Sequence, residues 1–235
     1  MFPQIAARNQ PASSRTARNV TAPARLITSV ADVDSLARRI AFLGATMSYA
    51  RGTEIFGENE PADYLYKVVN GTVRTYKVLN DGRRQIGGFY LPGDIFGLEF
   101  TDEHTLSADT ITDAKVLVVR RCALAALAER DAAIGRELHA LTARELRRVQ
   151  ERILLFIKSA QERVASFLLE MAERVATADA VELPMSRQDI ADYLGLTIET
   201  VSRTLSALKS AAAIEMPTSR RIVLRNRPAL NRMHG

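Results

Sequence analysis

The sequence predicts an α+β fold in which an N-terminal β-roll, or jelly roll, is followed by a long helix and a C-terminal winged helix-turn-helix. Three observations predict it. Between residues 51 and 120, short runs of β-branched and aromatic residues alternate with turn signals, as in an all-β roll. Residues 131–157 follow one uninterrupted helical pattern. Residues 186–210 carry the caps and the glycine of two short helices joined by a tight turn.

Length and composition set the domain organisation. With 235 residues, 47% apolar and 25% charged, the chain can bury a core and has room for one or two domains. We predict a flexible arm over 1–28, a β-roll domain over 29–130, a dimerisation helix over 131–159 and a winged helix-turn-helix domain over 160–235. No apolar run reaches the length of a membrane span, and residues 1–28 lack the hydrophobic segment of a secretion signal. We therefore expect a cytoplasmic protein with no membrane partner.

The net charge of +5 is distributed unevenly. Residues 1–30 carry four arginines and no acid, and residues 203–235 carry seven basic groups against the single Glu215, which leaves the middle at about −5. The C-terminal excess lies beside the predicted helix-turn-helix. Basic side chains placed there suit the phosphates of a nucleic acid.

The first elements are a helix over residues 30–44 and then the strands of the roll. Asp32 or Asp34 would cap the helix, whose apolar residues recur at helical spacing. Turn signals at Asn70–Gly71, Asn80–Gly82 and Pro92–Gly93 divide the next stretch. We predict strands near 51–56, 64–70, 72–79, 83–90, 94–96, 107–112 and 114–120.

The long helix over 131–157 has two stripes of side chains, which indicates two partners, one inside the protomer and one outside. We assign dimerisation to the stripe that mixes apolar and charged residues, because Glu145 could pair with an arginine across a two-fold axis. Its members are Ile134, Leu138, Leu141, Glu145, Arg148, Arg152 and Leu155. The second stripe is Leu146, Val149, Ile153 and Phe156. The alternative is a monomer that buries both stripes.

Residues 186–210 predict the helix-turn-helix. Ser186 can accept a hydrogen bond from a free backbone N–H of the first helix, with Asp189 as the acidic half of a capping pair. Gly195 ends this helix, because glycine takes the left-handed conformation without a Cβ penalty. Thr197 caps the second helix, which buries Val201, Leu205 and Leu208.

The opposite face of the second helix carries the residues that we predict to read DNA bases, namely Ile198, Glu199, Ser202 and Arg203. A glutamate can accept from the amino group of cytosine, and an arginine fork matches the two acceptors of guanine. Phosphate contacts are predicted for Ser186, Arg187, Thr197, Thr200, Arg220 and Arg221, the last two at the turn of a wing formed by strands 213–216 and 221–224. The alternative is an ordinary solvated helix with an i,i+4 ion pair.

The segment DIADYLGLTIETVSRTLSALK resembles the helix-turn-helix of the Crp–Fnr superfamily of bacterial transcription factors, and its E-x-x-S-R places it near the FixK and Fnr side. The resemblance implies that Glu199, Ser202 and Arg203 read a palindrome of the TTGA…TCAA type in double-stranded DNA. It also implies a homodimer, an activator and contact with RNA polymerase. A two-fold protein suits half-sites one helical turn apart, roughly 34 Å.

The segments LYKVVNGTVRTY and LPGDIFG resemble the cyclic-nucleotide-binding fold. In that family the phosphate site pairs a glycine and a glutamate with an arginine, because a cyclic phosphate must meet a guanidinium. Here the corresponding stretch is GLEFTDEHTLSADT, and the sequence has no arginine between Arg84 and Arg120. Asp102, Glu103 and Asp109 would repel a phosphate. We therefore expect no cyclic nucleotide and no small-molecule effector.

Cysteine and histidine usage argues against a cofactor. A single cysteine, Cys122, excludes an intrachain disulfide and a cluster held by several thiolates, and we expect it to be buried at a helix start. The three histidines form no pair at metal-ligand spacing. Two alternatives remain open. The first is a sensor of the same fold gated by haem or a metabolite. The second is an enzyme, for which no Ser-His-Asp set or carboxylate pair is found, so no catalytic residue is predicted.

Overall fold

The computed structural model describes residues 39–99, 101–175 and 180–234. The N-terminal domain is a roll of two four-stranded antiparallel sheets, with strand orders β1-β8-β3-β6 and β2-β7-β4-β5. Its strands are β1 (Ala45–Tyr49), β2 (Glu54–Phe56), β3 (Tyr64–Asn70), β4 (Val73–Val78), β5 (Arg84–Tyr90), β6 (Ile95–Phe96), β7 (Ser107–Thr110) and β8 (Ala114–Arg120). The predicted roll is confirmed.

The start of the roll differs from the prediction. Residues 39–43 are helical, and the rest of the predicted helix over 30–44 lies outside the described residues. Strand β1 was not predicted, because its alternating sequence ATMSY is only five residues long and directly follows a predicted helix, and four of its five residues are exposed. It exists through pairing, since all five residues align with β8 from Ala45 opposite Val118 to Tyr49 opposite Ala114. Pairing with a strong distant strand thus outweighs a weak local pattern.

Two apolar clusters stabilise the roll. Inside it, Phe56, Tyr66 and Phe96 form an aromatic group whose ring centroids lie 5.1–6.1 Å apart. Outside it, Leu65 and Leu117 pack against the helices that follow. The first of these is α1 (Arg121–Arg130). Cys122 in its first turn is exposed, so the expectation that it is buried was wrong.

The long helix α2 (Ala132–Leu155) has 24 residues and confirms the helical prediction for 131–157. It begins where the Asp131 side chain accepts a hydrogen bond from the Ala133 N–H. Within the described residues, no helix is both long enough and apolar enough to cross a membrane.

The stripe of α2 assigned to dimerisation faces its own chain. Ile134 is fully buried, and Leu138 packs in the cluster around Leu65. Arg148 pairs with Glu145 and reaches Asp94 of the roll at 3.5 Å. The Arg152 guanidinium lies 4.7 Å from the Tyr193 ring centroid. Leu155 packs on the core of the C-terminal domain, and Leu141 is half-buried.

The second stripe is instead the one that faces solvent, since Leu146, Val149, Ile153 and Phe156 are all exposed. The stripe that was predicted to join two copies therefore packs mainly within its own chain. A helical repeat shows that two stripes exist, but the partner of each is decided by the surfaces that the rest of the chain presents.

The C-terminal domain contains α3 (Ala160–Val175), β9 (Ala180–Glu182), α4 (Arg187–Leu194), α5 (Ile198–Ser210), β10 (Ile214–Glu215), β11 (Arg221–Leu224) and α6 (Arg227–His234). Its three strands form a sheet in the order β10-β11-β9. The core joins Phe167 and Leu168 of α3 to Ile190 of α4 and Val201 of α5. This arrangement of α4, α5 and a small sheet is a winged helix-turn-helix, as predicted.

Candidate nucleic-acid interface

Helix α4 begins and ends as its sequence predicts. The Ser186 hydroxyl accepts from the Asp189 N–H at 3.1 Å, and the Asp189 carboxylate accepts from the Ser186 N–H at 2.9 Å, which completes the capping box. Gly195 ends the helix with φ of 63°. A Cβ there would be strained by the backbone and would lie 3.1 Å from the Phe156 ring. The turn therefore requires glycine.

Helix α5 presents one face to the core and one to solvent. The Thr197 hydroxyl caps it by accepting from the Thr200 N–H at 3.2 Å. Val201, Leu205 and Leu208 are buried, in the positions predicted. Glu199 and Arg203 are exposed on the other side, so both side chains could enter a groove of DNA.

Glu199 is held in its charged form. Hydrogen bonds from its own backbone N–H and from the Thr197 hydroxyl, together with the positive charge of Arg203, lower the pKa of the Glu199 carboxyl. A carboxylate can only accept hydrogen bonds. Glu199 is thus suited to a base that offers an amino donor, such as cytosine.

Ser202 has a partner that the sequence did not reveal. The Arg187 guanidinium, at the start of α4, donates to the Ser202 hydroxyl oxygen at 3.2 Å. Arg187 was predicted to bind phosphate, and its position beside the face that is predicted to read bases was missed because Arg187 and Ser202 lie on different helices. This bond uses one of the two lone pairs of the Ser202 oxygen, so the Ser202 O–H can still donate to a base.

The other predicted phosphate contacts lie at three places. Ser186 and Thr197 are exposed at the starts of α4 and α5, where free backbone N–H groups favour an anion. Thr200 shares a hydrogen bond with Thr197 through their hydroxyls, 3.1 Å apart. Arg220 and Arg221 are exposed at the turn of the wing. The Thr218 hydroxyl orders that turn by accepting from the backbone N–H groups of both arginines.

The part of the roll that corresponds to the phosphate site of the cyclic-nucleotide-binding fold is occupied by protein side chains. His104 is 1% exposed, and its ring stacks on Phe56 with centroids 3.6 Å apart. Its Nδ1 lies 3.4 Å from the Glu99 carboxylate. Asp109 was expected to repel a phosphate, but Arg74 pairs with it at 2.7 Å and offsets its charge. The nearby exposed acids are Asp102 and Glu103.

Comparison with known proteins agrees with this architecture. Residues 162–233 match the family described as Crp-like helix-turn-helix domain, and residues 46–131 match the family described as cyclic nucleotide-binding domain. The chain is 48% identical over 203 residues to the nitrogen fixation regulation protein FixK of Azorhizobium caulinodans, an alignment covering 84% of this chain and 82% of FixK. It is 41% identical over 172 residues to the transcriptional activatory protein AadR of Rhodopseudomonas palustris, covering 71% and 72%.

A solved structure is similar as well. The structure of FixK2 from Bradyrhizobium japonicum superposes with a TM-score of 0.79 and 51% identity, over 82% of this chain and 98% of that chain. The two matched domain families, their order along the chain, the named relatives and the solved structure all indicate the same protein family. The chain therefore belongs to the Crp–Fnr family of DNA-binding transcription activators, in its FixK branch.

Proposed function

We propose that this regulator binds a TTGA…TCAA-type palindrome in the cytoplasm as a homodimer, without a small-molecule effector, and activates transcription through contact with RNA polymerase. The observation that carries the proposal is the exposed face of α5, where Glu199 and Arg203 flank Ser202. An acceptor and a bidentate donor one helical turn apart can bind the two bases of one G·C pair, the cytosine through its amino group and the guanine through its two acceptors. The G·C pair in each TTGA half offers both, on its C and its G.

The homodimer is supported by the exposed stripe of α2. Leu146, Val149 and Ile153 follow a 3,4 spacing, which is the seam that two helices bury against each other in a coiled coil. A second copy of the chain offers the same stripe, so a two-fold axis would cover both. The palindrome then meets one reading helix from each copy.

The absence of an effector is supported by the roll interior. Phe56 and His104 fill the space with stacked rings, and Glu99 faces His104 rather than a ribose. The guanidinium of Arg74 is already bound by Asp109, so it is not free for a phosphate.

A second candidate function, a ligand-gated sensor-regulator of the same fold, is favoured by one other feature. A cleft of about 500 Å³ lies against the inner face of the sheet formed by β1, β8 and β3, and is lined by Tyr49, Tyr64, Tyr66, Met47 and Val118. Its volume falls within the range of small-molecule pockets. DNA binding that becomes selective only after a metabolite or haem is added would support this candidate.

The test is a titration of the purified, ligand-free protein with a TTGA…TCAA duplex and a scrambled duplex, at about 50 mM and about 200 mM salt. Light scattering would give the mass of the complex. We expect the palindrome to bind more tightly at both salt concentrations, with two chains per duplex. Equal, salt-sensitive binding to the two duplexes would contradict effector-free recognition.

Arg221→Ala is expected to weaken binding to every duplex alike, because a phosphate contact carries no sequence information. The slope of log affinity against log salt should fall in magnitude by about one. Fluorescence anisotropy at several salt concentrations, with the palindrome and the scrambled duplex, measures both quantities. Arg225→Ala is the matched control, since this nearby exposed arginine is already paired with Glu215. A change in base preference would contradict the phosphate assignment.

A further inference from the structure

We propose that Arg84, supported by Arg74, is a positioning residue for DNA reading, because it fixes helix α4 on the roll and thereby sets the orientation of the reading helix α5. The proposal rests on the proposed function, in which α5 reads the palindrome. Both arginines lie on the β-roll, 105 and 115 residues before the aspartate that they share.

The ionic part of this contact centres on two aspartates of α4. One Nη of Arg84 lies 2.6 Å from the Asp189 carboxylate and 2.8 Å from that of Asp192. Arg74 reaches the same Asp189 oxygen at 2.5 Å while it also holds Asp109 of the roll. The Asp189 side chain is 7% exposed and that of Arg84 is 26% exposed, so solvent screens these pairs only in part.

A neutral side chain adds a third anchor. Gln85, next to Arg84 on β5, donates from its amide to the Asp192 backbone carbonyl at 2.7 Å. Asp189 is in the first turn of α4 and Asp192 is in its last. A helix of eight residues that is held at its first turn and at its last is restrained against tilting and rotating on the roll.

Apolar contacts continue the same surface. The Phe89 ring, on β5, lies 5.0 Å from the ring of Tyr193 on α4 and meets Phe167 of α3 edge-on at 6.2 Å. Ile86 and Ile111 of the roll belong to the same buried cluster as the helix-turn-helix core. Apolar contact brings the two domains together, and the directional ion pairs select one orientation.

The charge state of Asp189 agrees with this role. Burial disfavours its carboxylate, but hydrogen bonds from Ser186 and the charges of Arg74 and Arg84 outweigh that effect and lower the pKa. Removing one arginine would leave a buried carboxylate with less compensation, which penalises the docked orientation.

The orientation passes from α4 to α5 because the two helices form one unit. Ile190 and Ala191 of α4 share a core with Val201 and Leu205 of α5, and Gly195 fixes the turn between them. The reading face is exposed in the docked state. Docking therefore favours a state that can read DNA, and loosening it lowers the fraction of competent molecules and the apparent affinity with it.

The experiment compares Arg84→Gln with Arg83→Gln in the full-length protein. Arg83 is the matched control, since its side chain is 78% exposed and bonds Asp81 in its own hairpin. Asp192→Asn tests the contact from the other side and leaves the Asp189 cap intact. We expect Arg84→Gln and Asp192→Asn each to weaken palindrome binding about tenfold or more, with scrambled-duplex binding unchanged. The double variant should be no weaker than the weaker single one.

A distance measurement tests orientation without DNA. Nitroxide labels at Lys115→Cys and Ser210→Cys, in a Cys122→Ser background diluted with unlabelled chain, report the separation of roll and α5 within one chain by double electron–electron resonance. Both sites are exposed. We expect a narrow distribution for the parent and for Arg83→Gln, and a broad one for Arg84→Gln and Asp192→Asn.

The outcomes separate the two proposals. Palindrome affinity of Arg84→Gln and Asp192→Asn equal to that of Arg83→Gln would overturn the positioning role, whatever the distances. If the unsubstituted protein fails to prefer the palindrome, the proposed function falls. The distance distributions then still decide whether Arg84 holds the helix-turn-helix in place, because equal widths in all variants would overturn that as well.

Discussion

Ile153→Glu is expected to separate the proposed homodimer into monomers and to weaken palindrome binding by about 10²–10⁴-fold, the range lost when two linked contacts become one. Ile153 lies at the centre of the exposed stripe of α2, with Leu146 and Val149 on its N-terminal side. Two glutamates facing each other across a two-fold axis would place like charges in an apolar seam and would leave them desolvated.

Leu154→Glu is the matched control. Leu154 is 57% exposed and Ile153 is 61% exposed, so the two residues are about equally accessible to solvent. One helical step, however, turns Leu154 about 100° away from Ile153. We expect this variant to remain a dimer. Sedimentation velocity at micromolar concentration, followed by titration with the palindrome, measures both effects. A dimeric Ile153→Glu protein with unchanged affinity would show that another surface joins the two copies.

The helix-turn-helix could be predicted closely because its determinants are local. Ser186 and Asp189 cap each other across three residues, Gly195 marks the turn, and Val201 and Leu205 define the buried face of α5 within one helical turn. Each of these features acts through the backbone near it, so residues close together in the sequence are enough to reveal it.

The features that escaped prediction depend on contacts between distant parts of the chain. Strand β1 is ordered by β8, and Arg187 reaches Ser202 on the next helix. Arg84 meets Asp189 across more than one hundred residues, and each residue alone has the appearance of an ordinary surface charge. The orientation of α2 also depends on distant contacts. The sequence does not show which of its two stripes faces the interior, because that is decided by partners on the roll and on α4, such as Asp94 and Tyr193.

Arg203→Ala is expected to weaken binding to the palindrome by about 1–3 kcal/mol and to relax selectivity at one base pair of each half-site. The planar guanidinium can donate two parallel hydrogen bonds to guanine. No other base offers two acceptors in the same geometry. Arg203 is exposed, while the neighbouring Ser202 is bonded by Arg187. The loss should therefore be confined to the position that Arg203 reads.

Competition binding against duplexes with each half-site position substituted in turn measures this effect. Lys209→Ala is the control, since Lys209 is an exposed cation in the last turn of the same helix, distant from the reading face. It should leave the ranking of the duplexes unchanged. Arg203→Lys distinguishes charge from geometry: a lysine keeps the positive charge but loses the fork, so selectivity should still fall while the salt dependence is retained. If Arg203→Ala leaves the ranking of the substituted duplexes unchanged, the base-reading face of α5 is wrongly assigned. Arg203 would then contact phosphate, since a phosphate contact carries no sequence information.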